Sequence, residues 1–200
     1  MKVVEPIRSA EALARCFEIA AAHDSKRRKG DKLSWELLLV MGFNTGLRIS
    51  DLVKLRVKDV RGQEYVRVVA QKTGKDTRLK LNRGVRRDIA RLTEGRGGDE
   101  WLFQSRQRVS GTKFRKAISR QRAYQIINRV ARAAGIEERI GCHTLRKTFG
   151  YHYYKQYHDE VGLQRILGHD NRRDTLVYIG ITADEIDEKL AGFSLRRRAI

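Results

Sequence analysis

The segment "GCHTLRKTF" places His143 and Arg146 three residues apart at what reads as a helix start. Side chains at i and i+3 share one helix face, and the first-turn N–H groups have no intrahelical acceptor. An imidazole and a guanidinium beside those N–H groups make a ready anion site. A capped helix with a solvated Arg would carry the same letters. A second cation, Arg48, stands in "NTGLRISDL", just behind Gly46 and a long apolar run. An Arg there is partly desolvated and needs an anion. Asp51, three residues on, is expected to orient its guanidinium through a bidentate pair; a purely structural pair is the plain alternative. "LGHD" sets His169 at another helix–loop junction, where a lone His is more often a satisfied structural residue. Tyr178 ends the Arg-rich stretch "LQRILGHDNRRDTLVY", either as an amphipathic core residue or as a phenol that attacks a phosphate.

The charge balance favours an anionic partner. Lys and Arg number 43 against 24 Asp and Glu, a net charge of +19 on 200 residues. Such a surface attracts polyanions, with DNA or RNA the first suspect and an acidic protein or anionic membrane the alternative. Basic runs lie at Lys26 to Lys29 and Arg106 to Lys116. Cys16 and Cys142 are too few and too far apart for a disulfide framework or a zinc pattern, so a reducing cytoplasm is the expected compartment. No apolar run reaches the roughly 18 residues of a membrane span. The first residues lack the basic-then-apolar order of a signal peptide.

These side chains need a scaffold, and the pattern predicts a mainly α fold with one small antiparallel β-sheet (α+β). Ser9 is a good N-cap for a helix carrying Leu13, Phe17 and Ala20. "LSWELLLVMGFNTG" is apolar nearly all round and reads as a buried helix closed by Gly46. The chain then restarts with Ser50 or Asp51 as cap. "EYVRVVAQ" and "TRLKLN" alternate and are joined by "KTGKD", a hairpin signal. Val85, Ile89 and Leu92 mark a further helix. "RQRVSGTKFRKAISR" reads as a basic loop. Ala123, Ile126, Ile127 and Val130 define a helix whose polar face holds Arg122, Gln125 and Arg129, side-chain types suited to a DNA major groove or simply to solvent. Helices follow from Thr144, over Leu163 to Leu167 with Gly168 as cap, and around Tyr178. "TADE" is a capping box for a tail helix.

Taken in order, "TGLRISDLVKL", the hairpin Lys in "QKTGKDTRLKL", "HTLRKTF", "LGH" and "TLVY" resemble the catalytic domain of the tyrosine recombinase (phage integrase) family, from about Ser9 to Phe193. The gaps of 23 residues from Arg146 to His169 and nine from His169 to Tyr178 fit the family's pattern. The resemblance implies that Arg48 and Arg146 clamp the phosphate, and that His143 is a general base and phosphate ligand. His169 would hydrogen-bond the phosphate, and Lys72 would protonate the leaving oxygen, with Lys75 in the same turn as its rival. Asp51 would support the first Arg, and Tyr178 would be the nucleophile. Tyr151, Tyr153, Tyr154 and Tyr157 read as core and surface aromatics; Tyr65 falls in a strand and Tyr124 on the basic helix. Two letters depart from the pattern: Cys142 stands where the family often has Pro, and Lys147 where His is common.

The implied chemistry is coherent. Two guanidinium groups stabilise the extra charge of a pentavalent phosphorus without a metal. A phenol, whose ordinary pKa is about 10, sheds its proton to a nearby His while attacking. A Lys delivers a proton to the departing oxygen. The expectation is therefore a site-specific DNA recombinase working through a 3′-phosphotyrosine, with no ATP or metal cofactor. Integration, excision, inversion or resolution are its open outcomes. Its expected partners are double-stranded DNA, three further copies in a tetramer, and accessory DNA-bending proteins, at the nucleoid in the cytoplasm. A relaxing enzyme of the type IB topoisomerase kind and a non-catalytic DNA-binding protein are the alternatives. Residues 1–200 are expected to be one catalytic domain, with a core over about 9–180, a tail over 181–200, and the family's N-terminal DNA-binding arm absent.

Overall fold

The computed structural model describes residues 4–27, 31–69, 74, 76–111, 115–180 and 183–194, with the backbone alone at 183–185. α1 (Ala10–Ser25) starts at Ser9, whose hydroxyl accepts from Ala12 N. α2 (Trp35–Thr45) starts at Ser34, whose hydroxyl accepts from Leu37 N at 2.9 Å. The Asp24 carboxylate, at the end of α1, accepts from Trp35 N at 3.1 Å. Leu37, Leu38 and Met41 are wholly buried, as an all-round apolar helix must be, and α2 packs against α1 and later helices as the centre of the core.

α2 closes on Gly46 at φ 61°, and the chain turns into the short α3 (Ile49–Leu52). Its N-cap is Arg48, with no side-chain cap bond, rather than Ser50 or Asp51. The left-handed glycine cap leaves only two residues before the next helical turn, so that turn begins before either expected cap.

β1 (Tyr65–Val69) and β2 (Asp76–Lys80) pair antiparallel with Val66 opposite Leu79, as the alternation predicts. α4 (Arg83–Leu92) buries Val85 and Ile89. The expected basic loop instead contains a second antiparallel pair, β3 (Gln104–Arg108) and β4 (Arg115–Ala117), so the described residues form two small sheets rather than one. Only Gln104 of β3 is buried, so no apolar alternation announces this hairpin; it hangs from the bond of Ile118 N to Phe103 O at 2.9 Å.

α5 (Arg120–Ala133), α6 (Thr144–Tyr157), α7 (Glu160–Leu167), α8 (Arg172–Ile179) and α9 (Ala183–Gly192) complete the chain. α2 and α8 both pack on α6. A small second cluster, Leu163, Leu167 and Ile179, is covered by Phe149, Tyr153, Tyr154 and Tyr178. The capping-box residue Thr182 lies outside the described residues. Among the described residues no helix is long and apolar enough to cross a membrane.

Candidate active site

Two glycines set how closely α2 and α6 approach. A Cβ on Gly42 would overlap the Leu145 side chain, and one on Gly46 would lie 2.5 Å from Phe149 Cδ1. The four-residue spacing on both helices makes this one seam of ridges and grooves. The seam carries the start of α6 to the end of α2, so Arg146 reaches Gly46 O with Nη1 at 2.7 Å. Its Nη2 donates to Leu167 O, at the end of α7. Arg146 is only 4% exposed, and its Nε is buried with no hydrogen-bond partner among the described residues.

A third glycine, Gly150, does the same for α8. A Cβ there would stand 3.2 Å from Tyr178 Cβ and 3.3 Å from Tyr178 O. This approach puts the Tyr178 phenol at the start of α6, where its hydroxyl lies 3.2 Å from His143 Nδ1, within hydrogen-bond reach. The Tyr178 and His169 rings are 4.8 Å apart, and the Arg146 guanidinium lies 5.6 Å from the Tyr178 ring centre. Thr175, fully buried on α8, is 3.1 Å from His169 Nδ1, while His169 Nε2 faces Arg146 Nη2 at 3.2 Å.

Arg48, His143, His169 and Tyr178 line one open cavity of about 690 Å³. Arg146 lies buried against it through His169 and Tyr178. Of the described tyrosines, Tyr178 alone lines the cavity. Tyr151 is buried, Tyr153 donates to Asp159 at 3.3 Å, and Tyr157 is exposed. Lys72 and Lys75 lie outside the described residues. Asp51 is buried on α3. Ser50 Oγ is 3.5 Å from its Oδ1. Arg48 stands at the N-cap with extended backbone and faces the cavity, whereas Asp51 is turned into the core, where its charge acts on Arg146.

Two charged lining residues were not singled out from the sequence. Arg120, the first residue of α5, and Asp174, on α8, both face the cavity. Ser119, a good N-cap, was the one local signal for Arg120. Arg122, Gln125 and Arg129 are exposed farther along α5, outside this cavity, with Arg122 Nη1 donating to Gln125 Oε1 at 3.2 Å. The helix that opens at the cavity therefore continues as a basic, polar face.

Burial and the surrounding cations set the protonation states. Burial, then Arg146, Arg120 and Arg48, pull the His143 imidazole below its ordinary value, so it is a neutral base at neutral pH. Burial and Arg146 lower His169 to about 4, with Asp174 opposing. Burial lowers Arg146 to about 10, and the adjacent Tyr178 and Asp51 oppose that shift, so the guanidinium stays charged at neutral pH. The arrangement thus pairs a phenol with a neutral base beside fixed cations, which suits attack on a phosphodiester.

Comparison with known proteins agrees with this chemistry. The model of the phage integrase family matches residues 17–185. A probable integrase/recombinase of Bacillus subtilis, YoeC, is 38% identical over 184 residues, covering 92% of this chain and 93% of its own length. Against curated tyrosine recombinases of the XerA and XerD type, the chain spans 50% to 58% of their length. The crystal structure of XerA recombinase superposes with a TM-score of 0.73 at 19% identity, over 98% of this chain and 66% of that one. A lambda integrase tetramer bound to a Holliday junction gives 0.65 at 19% identity, over 92% and 51%. At such identities the structures speak for the fold.

Proposed function

Because the chain belongs to the phage integrase family, we propose that it is a site-specific DNA recombinase whose nucleophile is Tyr178. The observation that carries this reading is the 3.2 Å contact from the Tyr178 hydroxyl to His143 Nδ1 in a cavity shared with Arg48 and His169. The phenol oxygen attacks a DNA phosphorus as its proton passes to His143. Arg48, Arg146 and His169 hold the non-bridging oxygens, whose charge grows in the pentavalent transition state. The P–O5′ bond breaks, a 3′-phosphotyrosine remains, and the freed 5′ oxygen takes a proton. The 5′ hydroxyl of a second duplex then attacks the phosphotyrosine and restores the tyrosine. The phosphodiester energy is kept in the covalent bond.

Lys72 is the proposed donor to the 5′ oxygen. Lys72→Ala should slow cleavage roughly 10²- to 10⁴-fold, the scale of general acid catalysis. A substrate with sulfur as the bridging 5′ atom should recover most of that loss, because a thiolate leaves unprotonated. Equal rescue of Lys75→Ala would shift the role to Lys75.

DNA is bound through the basic surface, with Arg122, Gln125 and Arg129 of α5 addressed to the duplex. Strand exchange needs paired sites, hence four copies. Two features support assembly through the tail: Ile186 and Leu190 on α9 and Phe193 just after it are each about half exposed or more, and the helix carries Asp187 and Glu188 on a chain of net charge +19. Joining of two labelled duplexes tests the recombinase reading. Exchange between duplexes supports it, whereas relaxation of one duplex without exchange identifies a topoisomerase.

A further inference from the structure

The segment before α1 touches both helices that carry His143, Arg146 and Tyr178. Ile7, only 4% exposed, donates its N–H to Thr148 Oγ1 at 2.9 Å, and its carbonyl accepts from His152 Nε2 at 2.9 Å. Thr148 and His152 are four apart on α6, so this residue is latched along one face of the helix that begins at His143 and Arg146. Two residues earlier, Glu5 N donates to Arg139 O at 3.1 Å, and Val4 packs on Gly141, in the loop leading to His143. Two contacts then reach α8. Pro6 is packed on Gly180, whose Cβ would lie 3.5 Å from Pro6 Cγ, and Arg8 Nη2 faces Gly180 O at 3.4 Å. Gly180 is the left-handed C-cap of the helix that carries Tyr178, two residues before it.

α8 is eight residues long, too short to be stable or fixed in place alone. Its free carbonyls and the negative end of its dipole are at Gly180, where a cation is favourable. Arg8 supplies that cation. Its guanidinium is fixed from two sides, by Glu5 Oε2 at 3.2 Å and by the Tyr151 ring with its centre 5.6 Å away. Gly150 holds one flank of the last turn of α8, and Pro6 with Arg8 hold its end.

We infer that residues 4–8 are a positioning strap for the Tyr178 helix, with Arg8 as the positioning residue that fixes its C-terminal end. The inference rests on Tyr178 being the nucleophile only for its catalytic consequence. The strap places the phenol against His143 and does not itself touch DNA phosphate. Losing it should therefore lower the rate at saturating DNA rather than the affinity.

Arg8→Ala, Arg8→Lys and Thr148→Val test this in the full chain. Arg8→Ala should slow single-turnover covalent attachment at saturating DNA by roughly 10-fold or more, the scale of a small misplacement of a reacting group. Its Kd for DNA should stay within about twofold of the unaltered protein's and its Tm close to it, since Arg8 is one-third exposed. Arg8→Lys should recover most of the rate, because it restores a cation at the cap. Thr148→Val, which removes the acceptor of Ile7 N–H, should slow attachment in the same way. Amide hydrogen exchange without DNA gives an answer independent of catalysis: Arg8→Ala should speed exchange over 176–180 and leave α5 unchanged. Unaltered exchange in α8, or attachment at the full rate in both Arg8→Ala and Thr148→Val, would overturn the strap. Failure of the unaltered protein to attach DNA through Tyr178 would instead overturn the catalytic reading, and the exchange result would still decide the strap.

Discussion

Arg146 Nη2 lies 3.2 Å from His169 Nε2, and a guanidinium can only donate. His169 Nε2 is therefore the acceptor, and its ring hydrogen sits on Nδ1, donated to Thr175 Oγ1 at 3.1 Å. In this state His169 has no proton to offer a phosphate through Nε2. Donation there requires a second proton, on a ring whose pKa burial and Arg146 have lowered to about 4.

An anion beside His169 favours the imidazolium, so DNA binding should take up a proton. The free ring is neutral above about pH 4, and affinity should rise as pH falls from 7 toward 5. Calorimetric titration near pH 6 in two buffers of different ionisation enthalpy measures the uptake, and His169→Asn should reduce it. Equal uptake by both proteins would assign the proton elsewhere. The same depressed value has the opposite sign for folding. The unfolded ring binds a proton below about 6.5 and the folded ring does not, so this contribution to stability is lost as pH falls from there toward 4.

Gly150 gives a packing test of Tyr178 placement. A methyl group there would press on Tyr178 Cβ and O at 3.2 and 3.3 Å. Gly150→Ala should cost about 1–3 kcal/mol of stability and slow covalent attachment on the order of 10- to 100-fold, leaving DNA affinity nearly unchanged. Attachment at the full rate would show that the α6–α8 approach does not control the nucleophile.

Removing the tail should separate chemistry from assembly. Truncation after Ala183 should leave a folded protein that binds DNA but exchanges strands poorly, because the exposed Ile186, Leu190 and Phe193 would no longer reach a second copy. Sedimentation with and without a two-site DNA checks this. The free chain should be mainly monomeric, since +19 per copy opposes association until DNA neutralises it. Identical assembly of both forms on DNA would remove α9 from the interface.

Local chemistry made much of this legible in the sequence. The caps Ser9, Gly46 and Gly168 and the apolar spacing of Ala123, Ile126, Ile127 and Val130 act within one or two turns, and each stands where it was expected. The order and spacing of Arg48, His143, Arg146, His169 and Tyr178 likewise needed only the family's pattern. What stayed hidden depends on distant partners. The β3–β4 hairpin has too little buried surface to alternate. Gly42 and Gly150 look ordinary until α6 is laid against α2 and α8. Arg120 and Asp174 join the cavity only through packing of α5 and α8, and the roles of Pro6 and Arg8 depend on contacts more than 140 residues away.

The most direct test of the central claim is to trap the covalent complex on a nicked suicide substrate carrying the cognate site, digest it, and sequence the DNA-linked peptide. The account predicts a 3′-phosphodiester bond to Tyr178, abolished in Tyr178→Phe while non-covalent DNA binding persists. Attachment through Tyr154, Tyr157 or any other residue, or undiminished attachment by Tyr178→Phe, would contradict it.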